Sequence, residues 1–486
     1  MSEKSIEPTG LSRRDFLKTS SLAAAGFMIV PRYVLGGKGY VAPSDRLRIA
    51  AIGVGGKGQS DIASFAATNR ADIAFLCDVD RNRAAASVAA FPKAKFYEDW
   101  RELFDKQSRN FDAVSVATPD HNHAISTLAA MQLGKHVYVQ KPLTHDIYEA
   151  RLLTEAAKKY KVVTQMGNQG ASNDGVRQLM EWYDEDIIGK VHTVYCWTDR
   201  PVWPQGIPWP VAKASVPEHL NWDLWLGTAP YKGYIEKLVP FNWRGWWDYG
   251  TGALGDMGCH LLHAPFKVLG LQYAKDVQAS VGTVYVDEFK QGYFPESCPP
   301  SSHVTLTFPK TDKTEGDVTV HWMDGGIQPV RPDELGANEV FGDGGNGSLF
   351  VGTKGKMIAG TYGADAKLLP TSRTSEVKVK QKIRRVPGQA EGHYAQWVEA
   401  CIAGYGKAEL SAPFSESGPL TEALLMANLA IRGHDIRRAN ANGGFNYPGR
   451  GLKLLWDNAN MRVTNFEDVN QFVRRQYRSG WNIGTI

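Results

Sequence analysis

The 486-residue chain has few cysteines and almost no excess of charge. Its five cysteines are scattered and form no C-x-x-C pair, which argues against a disulfide framework or a zinc knuckle. The 55 basic and 51 acidic residues leave a formal charge of +4, so the composition does not indicate a nucleic-acid partner. Since 43% of the residues are hydrophobic, the chain can form a sizeable core, and collagen-like or disordered classes are excluded. We expect a small-molecule partner.

The sequence also has no complete set of metal ligands and no membrane-spanning apolar run. His121, His123 and His145 are not completed by carboxylates or cysteines at metal-ligand spacing, so we predict no metal site. The sequence also contains no apolar run long enough to span a bilayer as a helix.

A short apolar run, residues 22–30, follows Arg13-Arg14 and Phe16-Leu17-Lys18. This pattern resembles a Tat export signal, so we assign residues 1–42 to a signal and linker. It predicts a periplasmic protein with the Tat machinery as a partner. No A-x-A cleavage site stands out before Ser44, which leaves open a signal that is retained as a membrane anchor.

A glycine motif follows the apolar, β-rich run at residues 47–52. Gly53, Gly55 and Gly58 fit G-x-G-x-x-G, which permits a tight turn, close approach of a pyrophosphate and close helix–strand packing. A second apolar strand, residues 73–77, ends at Asp78, twenty residues beyond Gly58. An acid there accepts hydrogen bonds from ribose hydroxyls and repels a 2′-phosphate, which predicts NAD. Arg81 nearby leaves NADP open.

Strands and helices continue to alternate up to residue 167, which predicts a parallel, doubly wound sheet over residues 43–167. Ligands bind at the carboxyl ends of such strands. Polar residues follow three predicted strand ends, and they are candidate cofactor contacts: Thr118, Pro119, His123, Gln140 and Gln169.

The pattern changes beyond residue 167 to β-branched strands with long loops. Strands predicted over residues 191–198, 277–286, 302–308 and 317–322 indicate a mostly antiparallel sheet. We therefore assign residues 168–486 to an α+β substrate domain.

Together these motifs resemble the Gfo/Idh/MocA oxidoreductases, which include glucose–fructose oxidoreductase and inositol dehydrogenase. The resemblance rests on the glycine motif, Asp78, Thr118-Pro119 with His123, and Lys141-Pro142, and it extends through residues 252–260 and 456–481. It implies a Rossmann domain followed by an α+β domain, a nicotinamide cofactor, a sugar or cyclitol substrate, and a homo-oligomer. The family's Glu-Lys-Pro motif has Gln140 as its first residue here, which removes a carboxylate beside Lys141.

The resemblance also implies a catalytic group formed by Lys141, Asp256 and His260. Asp256 and His260 are four residues apart, so on a helix that begins near Gly255 they share one face. His260 would be the general base for a substrate hydroxyl, Lys141 would bind the developing alkoxide or carbonyl oxygen, and Asp256 would orient the substrate or the histidine. His263 is a candidate for either substrate contact or packing.

Eight of the 14 tryptophans lie between residues 195 and 250. Indole faces can stack on the C–H face of a pyranose, although we expect at least half of these rings to fill the core. The weaker substrate candidates in this region are Trp203, Trp209, and Trp243 with Arg244.

Three functions remain open at this point. The first is a periplasmic NAD(P)-dependent oxidoreductase that acts on a sugar, glycoside or cyclitol hydroxyl. Because free NAD is scarce outside the cytoplasm, its nucleotide should be tightly bound. The second is an NAD-dependent glycosidase or lyase that works by oxidation, elimination and reduction, and the third is a catalytically silent sugar-binding relative.

Overall fold

A six-stranded parallel sheet forms the N-terminal domain. The computed structural model describes residues 45–211 and 214–486, so the twin-arginine segment lies outside the described residues. The strand order in the parallel sheet is β3-β2-β1-β4-β5-β6. Its strands are β1 (Leu47–Ile52), β2 (Ala71–Cys77), β3 (Lys95–Tyr97), β4 (Ala113–Val116), β5 (His136–Val139) and β6 (Thr164–Met166).

Helices connect these strands on both faces of the sheet. They are α1 (Lys57–Ala67), α2 (Arg81–Ala90), α3 (Trp100–Gln107), α4 (His123–Gln132) and α5 (Ile147–Tyr160). The side chains of Asp80 and Asp99 cap α2 and α3, and Asp146 forms a capping box with Glu149 at the start of α5. The predicted doubly wound Rossmann domain is therefore confirmed.

A nine-stranded mixed sheet forms the second half, in the order β15-β14-β13-β7-β12-β11-β8-β18-β19. The strands of this sheet are β7 (Val191–Trp197), β8 (Asp276–Val281), β11 (Ser302–Phe308), β12 (Val318–Met323), β13 (Gly347–Gly352), β14 (Gly355–Ala359), β15 (Lys367–Leu369), β18 (Leu454–Asp457) and β19 (Arg462–Val463). The β7–β12 pair is parallel and the other pairs are antiparallel. This arrangement confirms the predicted mostly antiparallel sheet.

Two short hairpins lie outside both sheets. They pair β9 (Tyr285–Asp287) with β10 (Lys290–Gln291) and β16 (Arg438–Ala439) with β17 (Phe445–Asn446). The single strand predicted over residues 277–286 is therefore two strands, because the chain leaves the large sheet after Val281.

Seven helices complete the described chain, and the longest of them, α12, joins the two sheets. They are α6 (Asp174–Asp184), α7 (Trp222–Leu226), α8 (Gly252–Leu261), α9 (His263–Leu269), α10 (Arg373–Glu376), α11 (Gln389–Ala403) and α12 (Phe414–His434). Almost fully buried, α12 packs against α5 of the parallel sheet and against β8 of the mixed sheet. Within residues 45–211 and 214–486, no helix is long and apolar enough to cross a membrane. All five cysteines are buried and free.

Candidate active site

The glycine turn is dictated by close packing between β1, α1 and the end of β4. Gly53 has a φ of 78°, and a Cβ atom there would lie 2.6 Å from the Ala117 carbonyl oxygen. A Cβ atom on Gly58 would lie 1.8 Å from the carbonyl oxygen of Gly53. Since no side chain fits at such distances, the first and third glycines of the motif are required by the fold itself.

Asp78 holds this turn from the end of β2. Its Oδ2 accepts hydrogen bonds from the backbone N–H groups of Val54 (2.8 Å) and Gly55 (3.2 Å), and its Oδ1 accepts one from Asp80 (2.9 Å). Burial raises the pKa of this carboxyl group, against the lowering effect of these N–H donors. Asp78 also lines the cleft described below, so the predicted ribose contact stays a prediction.

Arg83 is a cation at the turn that sequence analysis missed. A Cβ atom on Gly56 would lie 2.5 Å from its Nη2, so the guanidinium packs directly over the glycine turn. Arg81, which left NADP open in the sequence analysis, is instead engaged by Glu98. Arg83 is therefore placed to meet phosphate charge, and an arginine one turn into α2 is the signal that could have identified it.

A cleft of about 440 Å³ begins at the glycine turn. It brings together most of the predicted site residues, which come from α8 and from the loops that follow β1, β2, β4, β5 and β6. The predicted residues that line it are Gly53, Gly55, Asp78, Thr118, Pro119, His123, Gln140, Lys141, Gln169, Trp243, Arg244, Asp256 and His260. The remaining predicted residues, Gly58, Trp203, Trp209 and His263, do not line it.

Lys141 and Asp256 form an ion pair across the cleft, between the end of β5 and helix α8. Lys141 Nζ lies 2.7 Å from Asp256 Oδ1 and also donates to the Asp256 carbonyl oxygen at 3.0 Å. Arg244 Nε lies 3.5 Å from the same Oδ1. Burial opposes the charge on Asp256, but Lys141 and Arg244 outweigh it, so the pKa of this carboxyl lies below its usual value. Asp256 is thus a carboxylate shared by two cations.

His260 lies one turn further along α8, which begins at Gly252 rather than near Gly255. Its Nδ1 is buried and has no hydrogen-bond partner in the described part of the chain. Burial, with a contribution from the charge of Lys141, lowers the pKa of His260 to about 3. The ring is therefore neutral at pH 7; it lines the cleft, and one of its nitrogens is buried and unsatisfied.

Tyr362 packs against His260 and also lines the cleft. The two rings meet edge to face with their centroids 4.6 Å apart. Tyr362 adopts a φ of 65°, a left-handed conformation that is rare for an aromatic residue, and Gly170 leaves the space into which its Cβ fits. No sequence motif points to this residue, because it comes from a turn about 100 residues after His260.

His123 joins the loops that follow β4 and β5. Its Nε2 contacts the Thr118 carbonyl oxygen and its Nδ1 contacts the Pro142 carbonyl oxygen, both at 2.8 Å. The ring is buried between these loops, so it fixes the relative positions of Thr118-Pro119 and Lys141-Pro142. Its placement fits a residue that organises the cofactor loops.

Three of the predicted substrate residues pack away from the cleft. Trp203 donates to Gln205 at 2.8 Å, and Trp209 packs edge to face on Trp246 at 4.7 Å. His263 is buried, and its Nδ1 contacts the Asn168 side chain at 3.2 Å. Trp209 packs on an apolar cluster, Trp203 is buried beside Gln205 and Phe241, and the histidine fills a buried polar site, which explains their absence from the cleft lining.

Trp243 and Arg244 do reach the cleft. The Arg244 guanidinium lies over the Trp243 ring, 4.3 Å from its centroid, and over the Phe241 ring at 4.6 Å. These stacked contacts orient the guanidinium toward Asp256. The pair therefore offers an apolar face and a charged edge beside Lys141.

The β3 end of the cleft carries two tryptophans that were not predicted as site residues, Trp100 and Trp481. Trp481 lies beneath the Arg101 guanidinium, 4.3 Å from its centre. Residues 475–481, here called the anchor segment, are held in place by Arg475, which lies 2.7 Å from the buried Glu149. Trp481 is remote in sequence from every motif of the parallel sheet, which is why sequence analysis did not place it here.

The donor set fits a dinucleotide. Arg83 and the N-terminus of α1, which has no side-chain cap, lie at the glycine turn, while Trp100 and Trp481 provide flat apolar surface near the end of β3. At the other end, Gln169 Oε1 and His260 Nδ1 are buried polar atoms without partners among the residues the structure describes. No group of three or more His, Cys, Asp or Glu side chains suited to a metal ion occurs within those residues.

Comparison with known proteins agrees with this geometry. Residues 47–168 match the profile described as the oxidoreductase family, NAD-binding Rossmann fold, and residues 182–307 match the C-terminal α/β domain of the same family. Together the two matches cover about half of the chain.

Curated relatives match over parts of their length. A D-glucoside 3-dehydrogenase of Escherichia coli is 26% identical over 49% of this chain and 58% of its own. An inositol 2-dehydrogenase 3 of Saccharopolyspora erythraea is 30% identical over 33% of this chain and 47% of its own. A glycosyl hydrolase family 109 protein of Shewanella pealeana is 28% identical over 31% and 37%. The chain thus spans between about a third and three fifths of these relatives.

Solved structures share the fold. The WlbA dehydrogenase of Bordetella pertussis, in complex with NADH and UDP-GlcNAcA, aligns with a TM-score of 0.53 at 16% identity, over 79% of this chain and 95% of its own. A levoglucosan dehydrogenase in complex with NADH and L-sorbose aligns with a TM-score of 0.52 at 15% identity, over 79% and 97%. With these matches added to the glycine turn and the two sheets, the chain belongs to the Gfo/Idh/MocA family of oxidoreductases, with an NAD-binding Rossmann fold at its N-terminal end.

Proposed function

We propose that this protein is an NAD-dependent oxidoreductase that transfers hydride between a bound nicotinamide and a hydroxyl group of a sugar, glycoside or cyclitol. The observation that carries the proposal is the convergence of Lys141, Asp256 and His260 on one cleft that begins at the glycine turn. Named dehydrogenases of glucosides and inositol among the relatives support the substrate class.

His260 is the base in this mechanism. Its ring is neutral because burial lowers its pKa to about 3, so it can accept a proton at neutral pH. His260 lines the cleft, so a substrate hydroxyl bound there can donate to the unprotonated nitrogen of its ring. When the hydroxyl proton moves to His260, the C–O bond gains double-bond character, and a bound nicotinamide supplies the acceptor for the hydride that leaves the same carbon.

Lys141 stabilises the charge that develops on the substrate oxygen. Its ammonium group donates to Asp256 Oδ1 at 2.7 Å and to the Asp256 carbonyl oxygen at 3.0 Å, so one of its three donors remains available for an alkoxide or carbonyl oxygen. Asp256 keeps this ammonium oriented because its carboxylate also holds Arg244. The residues that would hold the cofactor are those of the glycine turn with Asp78 and Arg83.

The test is direct assay of the purified protein. NADH fluorescence would report nucleotide binding, and absorbance at 340 nm would report NAD reduction with a panel of pyranosides, aldoses and inositols. We expect reduction with at least one polyol and none with its O-methylated analogue at the reacting position. Nucleotide binding without turnover of any member would instead favour the sugar-binding relative, and failure to bind NADH or NADPH would exclude the oxidoreductase.

A second candidate, the NAD-dependent glycosidase, is favoured by the relatives named as glycosyl hydrolase family 109 proteins. Oxidation of a ring hydroxyl acidifies the neighbouring C–H, which permits elimination of the glycosidic oxygen as an alcohol; water would then add to the resulting enone, and the ketone would take back the hydride from the bound nicotinamide. The cofactor is then regenerated in each cycle. Release of p-nitrophenol from p-nitrophenyl glycosides without added nucleotide would identify this reaction, whereas stoichiometric accumulation of NADH would identify the dehydrogenase.

We also propose that the protein is exported through the Tat route and retains its nucleotide. The proposal rests on the Arg13-Arg14 segment and the short apolar run after it. Periplasmic fractionation of wild type and of an Arg13→Lys/Arg14→Lys variant tests export. Mass spectrometry of nucleotide released from protein purified without added cofactor tests retention.

A further inference from the structure

The side chain of Gln140, which lines the cleft, is turned inward to a buried carboxylate. It follows β5 directly and occupies the position where the family motif has glutamate. Its Nε2 donates to Asp61 Oδ2 at 2.7 Å, and Asp61, on α1, is completely buried. The amide is packed tightly in this position, because a Cβ atom on Gly167 would lie 2.6 Å from the same Nε2.

Asp61 can only accept hydrogen bonds at this site. Its Oδ1 is 2.8 Å from the Lys57 ammonium and accepts from the Tyr394 hydroxyl at 3.0 Å, which leaves Oδ2 for Gln140. Burial works against the charge of Lys57, but Asp61 and Tyr394 outweigh it and raise the pKa of the lysine. Burial raises the pKa of Asp61, against the lowering effect of Lys57, Gln140 and Tyr394, and the Lys57 ammonium at 2.8 Å favours the ionised carboxylate.

An ionised carboxylate determines which end of the neighbouring amide faces it. The amide nitrogen of Gln140 must point to Asp61, because an amide oxygen there would meet a second acceptor. The amide oxygen is consequently on the other side, where its contact is a long one, 3.4 Å from the Lys141 backbone nitrogen. Gln140 thus keeps at least one acceptor lone pair for a donor in the cleft.

We propose that Asp61 acts as a positioning residue that makes Gln140 present an oxygen acceptor to the nicotinamide end of the cleft. Gln140 then offers the cofactor or substrate the same kind of acceptor as a glutamate, while the negative charge lies deeper, on Asp61. The ligand groups it would receive are donors, such as the carboxamide N–H or a ribose O–H. The inference rests on the proposed nicotinamide binding.

The test moves the carboxylate from position 61 to position 140 in single and double variants and measures NADH binding. Q140E places two carboxylates 2.7 Å apart in a buried site, so we expect it to weaken NADH binding about tenfold at pH 8. D61N removes the fixed acceptor and should weaken binding about threefold or more, because its own amide competes for either orientation. The double variant D61N/Q140E restores one donor and one acceptor and should bind within about threefold of wild type.

The pH dependence separates positioning from simple loss of packing. In Q140E, a proton shared by the two carboxyl groups at pH 5 recreates a hydrogen bond, so NADH affinity should recover at pH 5 and fall as the pH rises to 8. The titratable groups that face the pair are Lys57, Tyr394 and Tyr138. These groups are present in wild type and in all three variants, so their own titration affects the NADH affinity of each protein alike. Wild type should show no such recovery.

A charge added elsewhere on the surface controls for a general effect of Q140E on nucleotide binding. Q132E adds the same charge at the exposed end of α4 and should leave NADH affinity unchanged. Thermal unfolding of each variant without nucleotide reports whether it is folded. Wild-type affinity in Q140E, or a double variant no better than the worse single variant, would overturn the inference. If wild type itself binds no nicotinamide nucleotide, the proposed function fails instead.

Discussion

At the scale of single residues, His260 combines two properties that are usually opposed. It is buried, which disfavours its charged form, and it retains an unpartnered nitrogen, which a folded core normally avoids. Lys141 nearby adds a further penalty on protonation. A neutral histidine with a free acceptor is the state that a general base requires before reaction.

We expect H260A to lower kcat by about 10² to 10⁴, the usual contribution of a general base, with NADH affinity within about twofold of wild type. Steady-state kinetics and NADH titration measure the two quantities. H192A, which changes an exposed histidine, is the matched control.

The pH profile of wild type provides a sharper form of the same prediction. Because the folded pKa of His260 is about 3, below the ordinary 6.5, the base stays unprotonated on acidification through pH 6.5. Activity that depends on this base should therefore persist to pH 5 and be lost only as the pH falls toward 3. A kcat/KM that halves near pH 6.5 would contradict the assigned environment of His260.

Sequence analysis identified the residues whose chemistry is written into local motifs. Lys141, Asp256 and His260 stand in short patterns that a family resemblance can locate. Tyr362 does not, because its position depends on a left-handed turn and on the space that Gly170 leaves for it. Trp203 and Trp209 were predicted as substrate contacts but do not line the cleft. A tryptophan near a proline-rich loop packs as readily beneath the loop as over a cleft.

At the scale of elements, the glycine turn couples β1, α1 and β4 through contacts between backbones. The third glycine leaves the least space for a side chain, because a Cβ atom there would lie 1.8 Å from a carbonyl oxygen, against 2.6 Å at the first glycine. The alternation of strands and helices in this half was predictable because both faces of a parallel sheet are covered, which produces continuous apolar strands. Strands β13, β14 and β15 were not predicted, since β13 and β14 are short runs with glycines at their ends and β15 has only three residues.

We predict that G58A displaces the turn and weakens NADH binding more than about tenfold. A methyl group 1.8 Å from a backbone oxygen forces α1 away from β1, and overpacking of this kind costs about 1–3 kcal/mol of folding stability. NADH titration and thermal unfolding measure the two effects. G233A is the control, because a Cβ atom there meets nothing within 4 Å. Normal NADH affinity in G58A would show that the turn does not position the nucleotide.

At the scale of the whole molecule, the cleft is assembled from parts far apart in the chain. The glycine turn comes from β1 and α1, the ion pair from β5 and α8, and Trp481 from the anchor segment. Arg475 fixes that segment to Glu149 at 2.7 Å and to Asp146 at 3.6 Å, both at the start of α5. Because these anchors are buried, the segment is held independently of any nucleotide.

We expect W481A to accelerate release of bound nucleotide about three- to tenfold, since an aromatic pair contributes about 0.5–1.5 kcal/mol beyond area burial. W481F retains a flat ring and should release nucleotide at nearly the wild-type rate. Stopped-flow displacement of NADH measures the rates, and energy transfer from tryptophan to NADH should decrease in both variants. Equal release rates in wild type and W481A would show that this ring does not contact the nucleotide.

The distance along the chain between Gly53 and Trp481 imposes an order on biosynthesis. More than 400 residues separate them, and at about 5–20 residues per second the ribosome needs roughly 20–90 s to pass from one to the other. A nascent chain can complete its parallel sheet well before the ring that flanks the far end of the cleft exists. Trp481 is therefore the last of the residues lining the cleft to be synthesised, and the cleft gains its full wall only when the chain is nearly complete.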